Sequence, residues 1–287
     1  MTFVGTKRRM EETVTLGDRT VRRLGFGAMR LCGPNIMGPP RDPAAALAVL
    51  RHAVDVGVQL IDTADAYGPD VSEQQIASAL YPYPADIVIA TKGGSTRPDG
   101  RWERDGRPAH LKAACEGSLQ RLRLDRIDLF QLHSPDPKVP FADSIGALKE
   151  LRDAGKIGHV GLSNVSVDQL RQAREIVPIV SVQNRYNLGA RQSEDVLDAC
   201  ARDGLAFLPY FPIEAGSLAK ARGPLADVAQ RRGATTAQIA LAWLLKRSPV
   251  IAPIPGTSSL AHLDENLGAG AIDLTDSDFE ELSQVAA

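Results

Sequence analysis

Asp62, Tyr67, Lys92 and His133 are the residues whose types and placement suggest chemistry. Asp62 closes the run Val58-Gln59-Leu60-Ile61, and Tyr67 stands shortly beyond it. Lys92 closes Ile87-Val88-Ile89-Ala90-Thr91, and His133 follows Ile127-Asp128-Leu129-Phe130-Gln131-Leu132. A group at the end of such a run sits at the wall of a partly dry cavity, where charges and hydrogen bonds act strongly. A tyrosine phenol has a pKa of about 10, too high for an ideal acid near neutrality. A neighbouring ammonium favours the phenolate and lowers that value. Lys92 is therefore expected to tune Tyr67 downward, and Asp62 to keep Lys92 charged and oriented. His133 is placed to donate a hydrogen bond to a substrate oxygen and to exclude wrong poses. The result is a proton donor beside a carbonyl oxygen, as carbonyl reduction requires; hydride has to come from a cofactor, because no side chain supplies it. Taken singly, each residue has an ordinary explanation: a helix cap for Asp62, a solvated rim lysine, a histidine satisfied by a backbone carbonyl. Their joint arrival on successive strand ends is what points to a site.

The elements that must deliver these ends are legible as an alternation of short β-branched apolar runs with longer segments of helical period, which predicts a parallel sheet with helical crossovers. The strand candidates are Leu24–Ala28, Val58–Asp62, Ile87–Thr91, Ile127–Leu132, His159–Leu162, Ile179–Gln183, Ala206–Tyr210 and Val250–Ile254. Helical period is read in Ala44–Val54, Leu111–Leu122, Phe141–Asp153, Val167–Glu175, Ser193–Arg202, Leu225–Arg231 and Thr236–Leu245. Thr235 or Thr236 is the N-cap expected for the last of these. An earlier pair of runs, Thr13–Leu16 and Thr20–Arg23 around Gly17-Asp18, predicts a β-hairpin cap. Eight strands without a linker favour a closed α/β fold, a (β/α)8 TIM barrel, as one domain over residues 1–287 with a flexible tail expected at 1–12. The open doubly wound alternative lacks its Gly-x-Gly-x-x-Gly marker, since Leu24-Gly25-Phe26-Gly27-Ala28 holds only two glycines. The irregular stretch 93–108 falls just after a strand end, where barrel enzymes place substrate loops.

Composition narrows the function classes. The formal net charge of −2 gives no general attraction to nucleic acid or anionic membrane. The three cysteines, Cys32, Cys115 and Cys200, are scattered and odd in number, which argues against a disulfide framework and for a reducing, cytoplasmic setting. The basic start, Lys7-Arg8-Arg9, has no apolar run behind it and does not read as a secretory signal. Of the five histidines only His133 stands at the C-terminal end of a strand; His159 is expected to start its strand, on the opposite face. No metal site is therefore expected, nor a metal-dependent hydrolase.

The runs IDTADAYG with VSEQQIASAL behind it, then ATKGG, LFQLHSPDP, GLSNVS, SVQNRYNL and IPGTSSLAHLDENL span roughly residues 14–270 in this order. The sequence resembles the aldo-keto reductase superfamily through them. MRL and GPP near the start, and YFPIEAG later, look most similar to its bacterial branch that includes pyridoxal reductases (pyridoxine 4-dehydrogenases). The resemblance implies Tyr67 as general acid/base, Lys92 and Asp62 as its tuning pair, and His133 as the substrate-orienting residue. It also implies a nicotinamide cofactor, NADPH by family habit, and reduction of an aldehyde or ketone, with pyridoxal a candidate. Ser163, Asn164 and Gln183 are expected at the nicotinamide carboxamide, Tyr210 stacked on its ring, and Phe211, Pro212 and Ile213 leading toward the pyrophosphate. Ala28, Met29 and Asp62 complete the inner contacts. Gly256, Thr257 and Ser258, followed by a helix through His262, Glu265 and Asn266, are expected to form the adenosine end; a helix start with small hydroxyl residues is a ready anion site.

Many relatives carry Lys where this chain has Gly256 and Arg where it has His262, cations that grip the 2′-phosphate of NADPH. A neutral His262 and a bare backbone at Gly256 imply a smaller margin over NADH. Met29, Trp102 and His133 are expected to meet the substrate, although Trp102 reads equally as an apolar anchor for its loop. Arg30, Arg101 or Arg185 can greet an anionic substrate group. The rival class is a cofactor-binding regulator of the same fold, similar to potassium-channel β subunits; those proteins depart from the full catalytic set, which His133 completes here.

Overall fold

The computed structural model describes residues 12–220 and 222–284; nearly all of the tail read at 1–12 lies outside them. The chain forms a (β/α)8 barrel closed below by an N-terminal hairpin. The hairpin strands are β1 (Thr13–Leu16) and β2 (Arg19–Arg22), paired antiparallel with Leu16 opposite Arg19. Its second strand therefore starts one residue before the sequence reading, as a two-residue Gly17-Asp18 turn dictates.

The barrel strands are β3 (Phe26–Gly27), β4 (Leu60–Asp62), β5 (Val88–Gly93), β8 (Ile127–Leu132), β9 (Ile157–Ser163), β10 (Ile179–Gln183) and β11 (Ala206–Phe207), all parallel neighbours in the order β11-β10-β9-β8-β5-β4-β3. Between β5 and β8 a small antiparallel ribbon, β6 (Ser95–Thr96) and β7 (Glu103–Arg104), rises from the mouth. The helices are α1 (Pro43–Asp55), α2 (Val71–Leu80), α3 (Pro108–Leu122), α4 (Phe141–Asp153), α5 (Val167–Ile176), α6 (Glu194–Asp203), α7 (Pro224–Arg232), α8 (Thr236–Arg247), α9 (Leu260–Gly268) and α10 (Asp276–Gln284). Thr235 caps α8 in a capping box with Gln238. None of the described helices is long and apolar enough to cross a membrane.

Four expected strands are shorter than read: Val58–Asp62 contracts to Leu60–Asp62, and three others lie at the closing seam. Leu24–Ala28 contracts to Phe26–Gly27, with Ala28 already turning into a 3-10 segment, and Ala206–Tyr210 contracts to Ala206–Phe207. Val250–Ile254 pairs through a single bridge, Ile251 to Phe207. Proline explains the last two: Pro209, Pro253 and Pro255 have no N–H for a ladder. The barrel still closes there. Phe207 N–H donates to Val250 O, Ala252 N–H to Phe207 O, and Gly25 and Gly27 donate to Pro253 O and Pro255 O. The buried guanidinium of Arg23 fastens the same seam through Ile251 O at 2.8 Å, Leu245 O at 2.8 Å and Ser248 O at 2.5 Å. His159 proves to be the third residue of β9 and not the first, and its ring meets Asp18 of the hairpin at 2.6 Å.

Strand alternation sorts side chains into two populations. Ile61, Ile89, Phe130, Leu132, Leu162 and Val182 point outward and pack against the helices. Leu60, Val88, Ala90 and Leu129 point into the barrel and cluster with Val14, Leu16 and Val21 of the hairpin, which plugs the lower end. Two residues further along these inward rows stand Asp62, Lys92 and Gln131, joined by Ser181 and Gln183 of β10, all buried. The lumen thus changes from apolar below to polar above. Gly161 makes room for that polar layer, since a Cβ there would come within 2.6 Å of Ser181 Oγ and 2.8 Å of Gln131 Cγ.

Candidate active site

Four strands converge on one carboxylate. Asp62 Oδ2 receives a hydrogen bond from Lys92 Nζ at 2.7 Å, and Asp62 Oδ1 receives Gln183 Nε2 at 2.8 Å and Gln131 Nε2 at 3.2 Å. Lys92 Nζ also donates to Thr63 O at 2.7 Å and lies 3.4 Å from Tyr67 Oη. A fully buried ammonium is tolerable only when paired and hydrogen-bonded, and these three oxygens supply that. Burial alone would lower the pKa of Lys92; Asp62 and Tyr67 outweigh it and hold the ammonium above its ordinary value. Lys92 therefore stays charged, as expected.

Tyr67 behaves otherwise than the sequence reading supposed. Burial raises the phenol above its usual value, and the pull of Lys92 only reduces that rise. The reason is tertiary: the phenol is packed among Met29, Cys32, Ile36 and Ala64, where a phenolate is poorly solvated. The His133 side chain is half-buried, with Nδ1 shut off from solvent, and desolvation followed by repulsion from Lys92 depresses it to about 3. It is neutral at physiological pH. Its ring lies edge-on to Tyr67 at 5.9 Å between centroids.

The other expected residues surround this centre. Asn164, at φ 59°, donates through Nδ2 to His133 O at 2.9 Å and to Ser134 and Ser163 hydroxyls at 3.1 Å; its Oδ1 accepts from Tyr210 Oη at 2.8 Å. Ser163, Asn164, Gln183 and Tyr210 thus line the mouth from the ends of β9, β10 and β11. Phe211 stands edge-on to Tyr210, Pro212 is buried, and Ile213 is half-buried. Glu214 beyond them pairs with Arg185, which occupies one of the arginines read as a substrate partner.

At the last strand end, Ser259 caps α9 by accepting from His262 N–H, and Thr257 Oγ1 accepts from Ser259 N–H. The remaining N–H groups of the first turn have no intrahelical partner. Glu265 accepts from Thr235 Oγ1 at 2.6 Å, Asn266 is buried, and the His262 side chain is exposed. A Cβ on residue 256 would sit 2.4 Å from Gly27 O, so the backbone packing there requires glycine, and 3.7 Å from Arg30 Cγ. The exposed Arg30, read from sequence as a substrate partner, therefore lies beside Gly256.

Of the residues expected to meet substrate, Met29 is half-buried with Ala28 buried beside it, and the ring of Trp102 is 6.3 Å from that of Tyr67 and 5.7 Å from that of His133. Two residues of the site were missed from sequence. Gln131 had a signal, a lone amide in an apolar strand two positions before His133. Arg97 had none, because its partners are backbone carbonyls, two of them distant in sequence. Among the described residues, no group of three or more His, Cys, Asp and Glu is arranged to hold a metal.

The model of the Aldo/keto reductase family matches residues 23–287, and the chain belongs to that family. It is 45% identical over 281 residues to pyridoxine 4-dehydrogenase of Escherichia coli (strain K12), covering 96% of this chain and 98% of that one. Among solved structures, the glycerol dehydrogenase of Gluconobacter oxydans superposes with a TM-score of 0.87 at 27% identity, covering 95% and 94% of the two chains. An aldo-keto reductase of Klebsiella pneumoniae in complex with NADPH superposes at 0.82 with 26% identity, covering 96% and 95%.

Proposed function

We propose that this protein reduces an aldehyde or ketone to the alcohol with a nicotinamide cofactor, NADPH ahead of NADH, and that pyridoxal is its foremost candidate substrate. The observation that carries the reading is the buried Lys92–Asp62 pair with Tyr67 and His133 at the barrel mouth. When bound, the cofactor supplies the hydride. Tyr67 Oη is the proton donor: its raised pKa keeps it protonated, as an acid must be. Lys92 acts after the proton has left, stabilising the phenolate in a dry site where an adjacent cation counts heavily. Neutral His133 keeps one N–H to aim at the carbonyl oxygen without adding a second cation beside Lys92.

The residues present fit a dinucleotide. Ser163, Asn164 and Gln183 offer amide and hydroxyl partners for a carboxamide, and the Tyr210 phenol is anchored on Asn164 with its ring free to stack. Ala28, Met29 and Asp62 flank the nicotinamide ribose side, and Phe211, Pro212 and Ile213 the pyrophosphate. Gly256, Thr257, Ser258 and the first turn of α9 offer N–H and O–H donors to phosphate, with His262, Glu265 and Asn266 around the adenosine. NADPH bound to the Klebsiella relative and the pyridoxine activity named for the Escherichia coli relative support the two choices. The whole chain, 1–287, is proposed to act as one such domain. The test is NADPH consumption with pyridoxal and a panel of aldehydes, and NADP+ reduction with pyridoxine. Turnover of the panel without pyridoxal would refute the substrate; no turnover with either cofactor would refute the activity.

A further inference from the structure

Arg97 is 7% exposed, yet among the described residues its hydrogen bonds go to backbone carbonyls and to no carboxylate. Its guanidinium donates to Asn35 O at 2.9 Å, to Ile36 O at 3.2 Å and to Gly100 O at 2.8 Å, and lies 4.0 Å from the centre of the Trp102 ring. Asn35 and Ile36 have φ values of 57° and 61°. A β-branched residue rarely adopts that conformation, and it persists only where its surroundings hold it. Here it is held from two sides. Ile36 O accepts from Arg97 and also, at 3.1 Å, from Gly68 N–H, directly after Tyr67; Gly38 N–H returns a bond to Gly68 O at 2.8 Å. Arg97 thus joins the strained turn at 33–38, the ribbon loop that carries Trp102, and the backbone next to the proton donor. Only a planar fork with several fixed donors makes these bonds and stacks on an indole at once.

We propose that Arg97 is a positioning residue that fixes Trp102 as the wall of the substrate pocket and thereby makes the enzyme prefer flat aromatic aldehydes over aliphatic ones. The inference rests on the carbonyl-reductase reading of the site. Trp102 has one ring face backed by Arg97 and stands edge-on to Tyr67 and His133, yet it is 47% exposed. A carbonyl held at Tyr67 and His133 projects the rest of the substrate along that exposed indole, where a flat ring gains a stacking contact that an alkyl chain does not.

The test compares benzaldehyde with propanal, using NADPH. Arg97→Met keeps the stem and removes the fork; it is expected to lower the benzaldehyde-to-propanal ratio of kcat/KM about tenfold, equivalent to about 1.4 kcal/mol, chiefly through KM for benzaldehyde. Arg97→Lys, which keeps the charge without the fork, behaves as Arg97→Met. Trp102→Leu gives the same loss, and Arg97→Met combined with Trp102→Leu is no worse than either alone, as for residues acting as a unit. An unchanged ratio, equal losses for both aldehydes, or losses that multiply in the double variant overturn the proposal. Tryptophan emission of the NADPH-bound protein separates this idea from the reductase reading. Benzaldehyde is expected to quench wild type but neither Trp102→Leu nor Arg97→Met; quenching retained in Arg97→Met overturns the positioning role even if wild type turns over neither aldehyde, whereas only failure of the whole aldehyde panel, pyridoxal included, with both cofactors overturns the reductase reading.

Discussion

Replacing Lys92 by Met removes an ammonium that has no access to water and three oxygen partners. Two effects follow and can be separated. The Asp62 carboxylate keeps Gln183 and Gln131 as donors but loses the cation paired with it. Breaking a buried ion pair by removing one partner costs about 3–5 kcal/mol, so Lys92→Met is expected to lower the denaturant midpoint sharply. Adding Asp62→Asn removes the stranded charge; the amide still accepts from both glutamines, and most of that stability should return. Turnover should not. Without the ammonium the Tyr67 phenolate forms unassisted in a dry pocket, and the loss is expected to be roughly 100- to 10,000-fold, the weight of general acid catalysis. The assays are urea unfolding at constant m-value and single-turnover NADPH oxidation with saturating cofactor. If the double variant regains both stability and turnover, Lys92 serves only to neutralise Asp62, and the proton-donor reasoning fails.

Three further outcomes are expected. Tyr67→Phe should cut turnover roughly 100- to 10,000-fold while leaving the NADPH dissociation constant near wild type, and the pH profile of reduction in wild type should show no inflection from His133 near neutrality, because that ring is held at about 3; a step near about pH 6.5, the ordinary histidine value, would contradict the burial argument. Burial, reinforced by the Glu73 carboxylate, raises Asp65 to about 8 in the folded chain from 3.8. The unfolded chain therefore loses this proton first, and stability drains away as pH rises through that window; Asp65→Asn should raise the melting temperature more at pH of about 8 than at about 5, and a pH-independent difference would show that Asp65 ionises freely. Finally, His262→Arg should raise the NADPH:NADH affinity ratio about tenfold if the new contact is worth about 1.4 kcal/mol, measured by fluorescence titration, whereas indifference to the substitution would remove His262 from the phosphate end.

What the sequence determined by itself is what local patterning controls. Ile127–Leu132, Ile179–Gln183 and Phe141–Asp153 have the bounds that periodicity assigns them, and Thr235 caps α8 as its hydroxyl and Gln238 dictate. The ends at Asp62 and before His133 were legible too, because an apolar run that stops there marks its own boundary, whereas the strand read to Thr91 runs on through Lys92 to Gly93; the barrel then brings those ends together. Two described helices, α2 and α10, carried no explicit reading. Burial on one face gives α2 an internal Glu73 that accepts from Thr91 Oγ1 at 2.5 Å and Arg121 Nε at 2.6 Å, which breaks its apolar stripe. Only the tertiary structure decided the rest. It set the direction of the Tyr67 shift, since desolvation depends on Met29, Cys32, Ile36 and Ala64 closing around the phenol. It made Gly256 obligatory through the approach of Gly27 O, and it gave Arg97 partners in carbonyls about sixty residues away. Hydrogen bonds to a distant backbone leave no trace in residue type or spacing, because every residue offers the same carbonyl.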